Sequence, residues 1–150
     1  MDLQINFEKN KFNVELGGGD HPMIRPNYDC RPGENVDHVI NLEDPLPFED
    51  NQVDGLFSKY ALEHVSYRKF PDLLQEILRS LVPGGKAVFV LPNTRAQMEW
   101  ALQQDETDPD FIRKVSQCLM GDQDYSDNTH KVVMSPMSIT ALMLSMGYRS

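Results

Sequence analysis

FPDLLQEILRSLVPGGKAVFVLP, residues 70–92, decides the fold, because the hydrophobic period changes inside it. Phe70, Leu73, Leu74, Ile77, Leu78 and Leu81 recur at i, i+3, i+4, i+7, i+8 and i+11, one face of an amphipathic helix. Pro71 suits the first turn, where a backbone N–H has no intrahelical partner to lose, and VPGG at 82–85 stops the helix. KAVFVLP, 86–92, then reads as an apolar strand closed by Pro92. Upstream, VDGLFSKY, 53–60, reads as another strand. Strand, helix and strand with short joints predict a parallel crossover, and so an α/β sheet.

Working outward, KFNVEL (11–16) is a buried strand running straight into Gly17, Gly18 and Gly19. Pro22, Pro26 and Pro32 leave no room for a long helix in residues 20–33. VDHVINL (36–42) reads as a further apolar strand, and DPLPFEDNQ (44–52) as turns. The segment 94–134 is more polar and carries the acidic run DETDPD at 105–110, expected to be a solvated loop. Within it, Asp108 is expected to cap a helix with Pro109 as its first residue. Phe111, Val115 and Leu119 share a face of that helix, and Gly121 ends it. A last helix follows, with Ser135 as N-cap, Pro136 first, an apolar stripe of Ile139, Leu142, Met143 and Met146, and Gly147 as its stop.

A chain of 150 residues is expected to form one domain, 1–150. Its net charge of −9 argues against a surface that tracks nucleic-acid phosphates. No stretch approaches the ~20 apolar residues of a membrane span. The N-terminus lacks a basic segment followed by an apolar one, so a cytoplasmic protein without a leader is expected. Cys30 and Cys118, 88 positions apart, are expected to be buried, reduced thiols. His21, His38, His64 and His130 show no metal-ligand spacing, so no metal site is expected.

The three glycines either make a tight turn or let the backbone approach a ligand closely. A dinucleotide loop of G-x-G-x-x-G form would place its third glycine at position 22, which is proline, and would open a helix that cannot follow. Glu15 and Asp20 would also repel a pyrophosphate. The loop suits a ligand with a positively charged end, such as an ammonium or a sulfonium.

ELGGG (15–19), NYD (27–29), NLEDPLPFEDNQVD (41–54), FSKYALEHV (57–65), LLQEILRSLVPGGKAVFVLPN (73–93) and SITALMLSMGY (138–148) occur in one order. In that order the chain resembles the class I S-adenosylmethionine-dependent methyltransferases, most nearly the methyltransferase-11 type. The resemblance implies an α/β fold: a Rossmann-like, mostly parallel sheet with flanking helices, shortened relative to the seven-stranded methyltransferase fold. It also implies S-adenosyl-L-methionine as cofactor. Glu15, Gly17, Gly18 and Gly19 would cradle its methionine part, and Asp29 would accept from its ribose hydroxyls. Asn41, standing where the family carries an acid, and Leu42 would meet the adenine. Ser58, Lys59 and Tyr60 would lie beside the transferring methyl. Two features depart from the family pattern: only nine residues separate Gly19 from Asp29, with no helix between, and the third glycine position is His21.

The activity so implied is methyl transfer to a small-molecule acceptor, with a non-catalytic interaction module as the alternative. Tyr60, His64 and His130 are the candidate bases. Glu63 and His64 suggest an acid–base pair, but neighbours on a helix point apart, and the resemblance implies that this pair is structural or lines the pocket. Residues 94–134 are read as a lid over the acceptor, anchored by Trp100 and Phe111. The sequence ends at GYRS, where the family's final antiparallel pair would begin, so the chain is read as truncated. The apolar 86–92 edge is then expected to pair with a second copy, in a homodimer, or with KVVMS (131–135) folded back upon it.

Overall fold

The computed structural model describes residues 5–8 and 10–149. The first four residues read for a leader, and the last residue of GYRS, lie outside that range. The elements in order are β1 (Asn13–Leu16), β2 (Asn27–Asp29), β3 (His38–Val39), β4 (Val53–Lys59) and a 3-10 turn at Leu62–His64. After them come α1 (Phe70–Ser80), β5 (Leu81–Val90), α2 (Thr94–Ala101), α3 (Phe111–Met120) and α4 (Pro136–Met146). The five strands form one sheet in the order β3-β2-β1-β4-β5, and every pairing is parallel. The Rossmann-like sheet expected from the sequence is therefore present, shorter than seven strands.

Register sorts the side chains onto two faces. Val14 pairs with Leu56 and Leu56 with Ala87, while Leu16 pairs with Ser58 and Ser58 with Phe89. This face carries the hydrophobic core, with Leu73, Leu74 and Ile77 of α1 buried in it. α4 shares the face. Its Ile139 and Met143 meet Ala87, Phe89 and Leu91, and Tyr148 just beyond it donates a hydrogen bond to the Leu74 carbonyl at 2.6 Å. The opposite face carries Glu15, Asn27, Phe57 and Val88 in register. No described helix stands between β1 and β2; the loop 17–26 crosses there instead. Phe7 lies against Gly55, leaving no space for a Cβ at that position.

Helix ends follow the residues expected to make them. Ser135 accepts from the Ser138 N–H, Ser138 reciprocates onto the Ser135 N–H, Pro136 opens α4, and Gly147 closes it with φ 104°. α3 ends at Gly121 as expected but begins later than Asp108–Pro109. The Asp108 side chain caps a turn instead, accepting from the Asp110 N–H at 2.8 Å, so the helix starts at Phe111.

Two strand boundaries and one strand pairing differ from expectation. VDHVINL pairs only at His38–Val39, because among the described residues the sheet has no further strand on that side, and Val39 is exposed. β5 begins at Leu81, so α1 stops at Ser80; between Val53 and Gly55 the partner on β5 jumps from Leu81 to Lys86. The Pro-Gly-Gly segment is thus a bulge in the strand rather than a separate turn. KVVMS does not fold back onto β5: Lys131 donates to Glu63 and Met134 accepts from Thr94. Cys30 is exposed and Cys118 half-buried, against the expected buried pair, because Cys30 immediately follows the last residue of β2.

Candidate functional site

The carboxyl ends of β1, β2 and β4 open into a cavity of about 590 Å³. This is the crevice where the strand order reverses, and open parallel sheets bind ligands there. β1 supplies Gly17, Gly18 and Gly19, and β2 supplies Asp29. The β3–β4 connection supplies Asn41 and Leu42, and the turn after β4 supplies Tyr60, Ala61 and His64. Tyr125, Asp127 and Lys131 close the far side.

The glycine loop is fixed by side chains from the strands beneath it. Gly17 has φ +76°, and a Cβ there would overlap Ala61, so only glycine lets β1 and the turn after β4 approach this closely. Gly18 donates to Asn27 Oδ1 at 3.0 Å, and Asn27 Nδ2 donates to the Gly19 carbonyl at 2.9 Å and the Asn35 carbonyl at 3.0 Å. Asn27 is fully buried. Gly19 donates to Asp29 Oδ2 at 2.9 Å, and Arg31 donates to Oδ1 at 3.0 Å. A Cβ at Gly19 would meet nothing within 4 Å, so this backbone faces open space.

Several expected cofactor residues stand elsewhere. Glu15 does not line the cavity. It is 3% exposed, and its Oε2 accepts from Met23 at 2.6 Å and Ile24 at 2.7 Å. Burial pushes its carboxyl above the ordinary range, and the two N–H donors pull the other way. It staples the crossing loop in place of a helix. Ser58 is likewise away from the cavity; it is fully buried and donates to the Leu16 carbonyl at 2.8 Å. Asn41 does line the cavity, but its Oδ1 accepts from the Glu43 N–H at 3.0 Å, which fixes the turn. Asn27 was missed by sequence reading, although a polar residue opening a three-residue strand is the kind of signal that would find it.

Tyr60 carries φ +52°, an uncommon conformation for a side chain of this size. It is held by its N–H donating to the Val90 carbonyl at 2.9 Å. Acidic groups outnumber basic ones around the cavity, with Asp20, Asp29, Glu43 and Asp127 against Arg31 and Lys131. Arg31 reaches across to Tyr125, its guanidinium 3.7 Å from the ring centre, joining the glycine side to the far wall. The wall from 94–134 is thus its 125–131 strap; Trp100, Phe111 and the acidic run do not line the cavity.

The three base candidates separate. Tyr60 and His64 line the cavity, and His130 packs behind His64 with ring centres 5.3 Å apart. Burial lowers the His64 pKa, favouring the neutral ring. Glu63 is 1% exposed, and desolvation pushes its carboxyl up to about 7. In the tight 3-10 turn, Glu63 and His64 do not diverge as on an α-helix: a ligating atom from each, with one from His130, lies within 4.8 Å of the others. No described helix is long and apolar enough to cross a membrane.

Comparison with known proteins agrees with this geometry. A family model described as a methyltransferase domain matches residues 23–89. An uncharacterized protein of Saccharomyces cerevisiae is 30% identical over 100 residues, 58% of this chain and 11% of the relative. An S-adenosylmethionine-dependent methyltransferase of Archaeoglobus fulgidus superposes with a TM-score of 0.63 at 14% identity, over 93% of this chain and 62% of that one. One of Thermotoga maritima gives 0.61 at 16% identity, over 93% and 65%. Phosphoethanolamine N-methyltransferase 2 of Haemonchus contortus, in complex with S-adenosyl-L-methionine, gives 0.60 at 17% identity, over 91% and 33%. The chain therefore spans about a tenth of the yeast relative and less than two thirds of each of these structures.

Proposed function

Starting from a chain with the fold of the class I S-adenosylmethionine-dependent methyltransferases and a methyltransferase-domain match, we propose that its cavity binds S-adenosyl-L-methionine and transfers the methyl group to a small-molecule acceptor. The observation that carries this reading is the juxtaposition of Gly19 and Asp29 at the cavity floor, joined by one hydrogen bond. The donor set fits the group. The glycine backbone leaves open space for a polar chain, and the acidic rim suits a sulfonium and an ammonium. Each Asp29 oxygen accepts one backbone N–H and keeps a lone pair for a ribose hydroxyl.

The cofactor supplies a methyl group already activated on a cationic sulfur. What remains for the protein is alignment and exclusion of water, and proximity of this kind accounts for much of the barrier lowering in such displacements. Tyr60, held in its left-handed conformation, and His64 present polar groups on the wall, and the strap with Tyr125 and Lys131 shields the opposite side. A base is required only where the acceptor must lose a proton.

Calorimetric titration with S-adenosyl-L-methionine tests the reading. Binding is expected for the parent, and Asp29→Ala should weaken it by about 1–3 kcal/mol through the loss of the ribose acceptor. No heat at about 1 mM cofactor, roughly −4 kcal/mol of affinity, overturns it. The alternative, a non-catalytic module with this fold, draws on Glu15 and Asn41, whose oxygens already serve the protein's own backbone. Cofactor binding without turnover over a panel of amine, hydroxyl and carboxylate acceptors would favour it.

A further inference from the structure

We propose that Glu63, His64 and His130 form a binding site for one divalent transition-metal ion on the wall of the cavity. Their ligand atoms lie within 4.8 Å of one another. The roughly 3.3 Å edge of a four-coordinate shell with bonds of ~2.0 Å requires only a modest contraction from that limit. Residues far apart in sequence are pinned together by backbone bonds. Lys131 donates to the Glu63 carbonyl at 2.8 Å, and His130 donates to the Met120 carbonyl at 2.9 Å. The His130 ring packs on Gly121, where a Cβ would come within 3.2 Å of it.

His64 Nδ1 lies 3.1 Å from the Thr129 carbonyl, which accepts only if that nitrogen carries the proton. The bond therefore assigns the tautomer and leaves Nε2 with a bare lone pair. A ring nitrogen tied to a carbonyl in this way is the usual partner of a metal-bound imidazole. A second observation points to a cation independently. Glu63 Oε2 is buried, in a residue 1% exposed, and has no hydrogen-bond partner among the described residues. A buried carboxylate oxygen left unpartnered is costly, and a metal ion satisfies it.

Two imidazoles and one carboxylate are the donors of Zn²⁺, Co²⁺ and Fe²⁺ sites; Mg²⁺ and Ca²⁺ take oxygen sets. Three protein ligands leave at least one coordination position open. His64 alone of the three lines the cavity, so an acceptor oxygen or a water would have to approach the ion past its ring. That last role rests on the methyl-transfer reading; the metal site does not.

Titration of the metal-free full chain with Co²⁺, followed by visible absorption and competed with Zn²⁺, tests the site without any cofactor. One equivalent is expected to give d–d bands without a thiolate charge-transfer band, and Zn²⁺ is expected to raise the melting temperature. His64→Gln and His130→Gln should each weaken binding at least about tenfold. His130→Gln, at a half-buried position, carries the test if Glu63→Gln fails to fold by circular dichroism. Absence of both d–d bands and a melting shift at about 1 mM Zn²⁺ overturns the proposal. A thiolate band, which would assign the ion to Cys30 or Cys118, or unchanged affinity in His130→Gln, overturns it equally.

Discussion

Asn27 fixes the cavity-facing backbone of the glycine loop. One side chain, fully buried, accepts from Gly18 and donates to the carbonyls of Gly19 and Asn35. It thereby does for the loop what a helix turn would do by its own hydrogen bonds. Asn27→Ala leaves three part-buried backbone groups without this partner. Destabilisation of about 1–3 kcal/mol is expected, measured as a lower urea midpoint at unchanged slope. An unchanged midpoint would show that the loop is held chiefly by Glu15. Asp29 belongs to the same small network, which is why its Ala variant needs its melting temperature measured beside its cofactor affinity.

At the scale of the elements, α1 is bound to the turns before β4 by a charged pair. Glu76 Oε2 accepts from the Leu46 N–H at 3.1 Å and from Arg79 at 2.8 Å. Arg79 in turn donates to the Phe48 carbonyl and to Asp50. The Arg79 hydrogen bonds hold the Glu76 carboxyl below the ordinary glutamate range, opposed by partial burial. A carboxyl whose folded pKa is depressed contributes stability above its unfolded pKa and loses it as pH falls through the folded one. The contribution is therefore full at neutral pH and fades as pH falls through and below the ordinary glutamate range. Both partners are about a third exposed or less, 31% and 27%, so water screens the pair and the effect at neutral pH should stay near 1 kcal/mol. In Glu76→Gln, the melting temperature should fall less steeply than the parent's between about pH 6 and about pH 3. Parallel acid limbs for parent and variant would remove Glu76 from the acid response.

For the whole molecule, β5 is the long edge of the sheet among the described residues, opposite the two-residue β3. Its run Ala87–Leu91 holds no charge, and the fold-back that would have covered it is ruled out by the Lys131 and Met134 bonds to other partners. We expect a second copy to pair along it, since an apolar edge is a template for another strand and two-fold pairing closes on itself. Sedimentation at micromolar concentration should then give twice the 17.2 kDa chain mass, and Val88→Lys should return the monomer. A monomeric parent would show that the edge is protected as it stands.

How much of this was legible depends on the range of the interactions involved. Residues 70–92 announce the crossover because helix and strand periods are local properties, read over a few neighbours. Caps were legible for the same reason: Ser135, Pro136 and Gly147 act on backbone groups within four residues. The family order brought Asp29 and the three glycines to notice, and the fold sets them at one cavity. Tertiary structure alone decided the use of each polar group. Glu15 turns to Met23 and Ile24, and Ser58 to Leu16, because a buried donor or acceptor must find a partner inside the fold, which sequence distance does not disclose. The meeting of Glu63 and His64 with His130 is of the same kind. Sixty-six positions separate His64 from His130 in sequence, while the two rings stand 5.3 Å apart, held there by backbone bonds from a strap whose course no local pattern encodes.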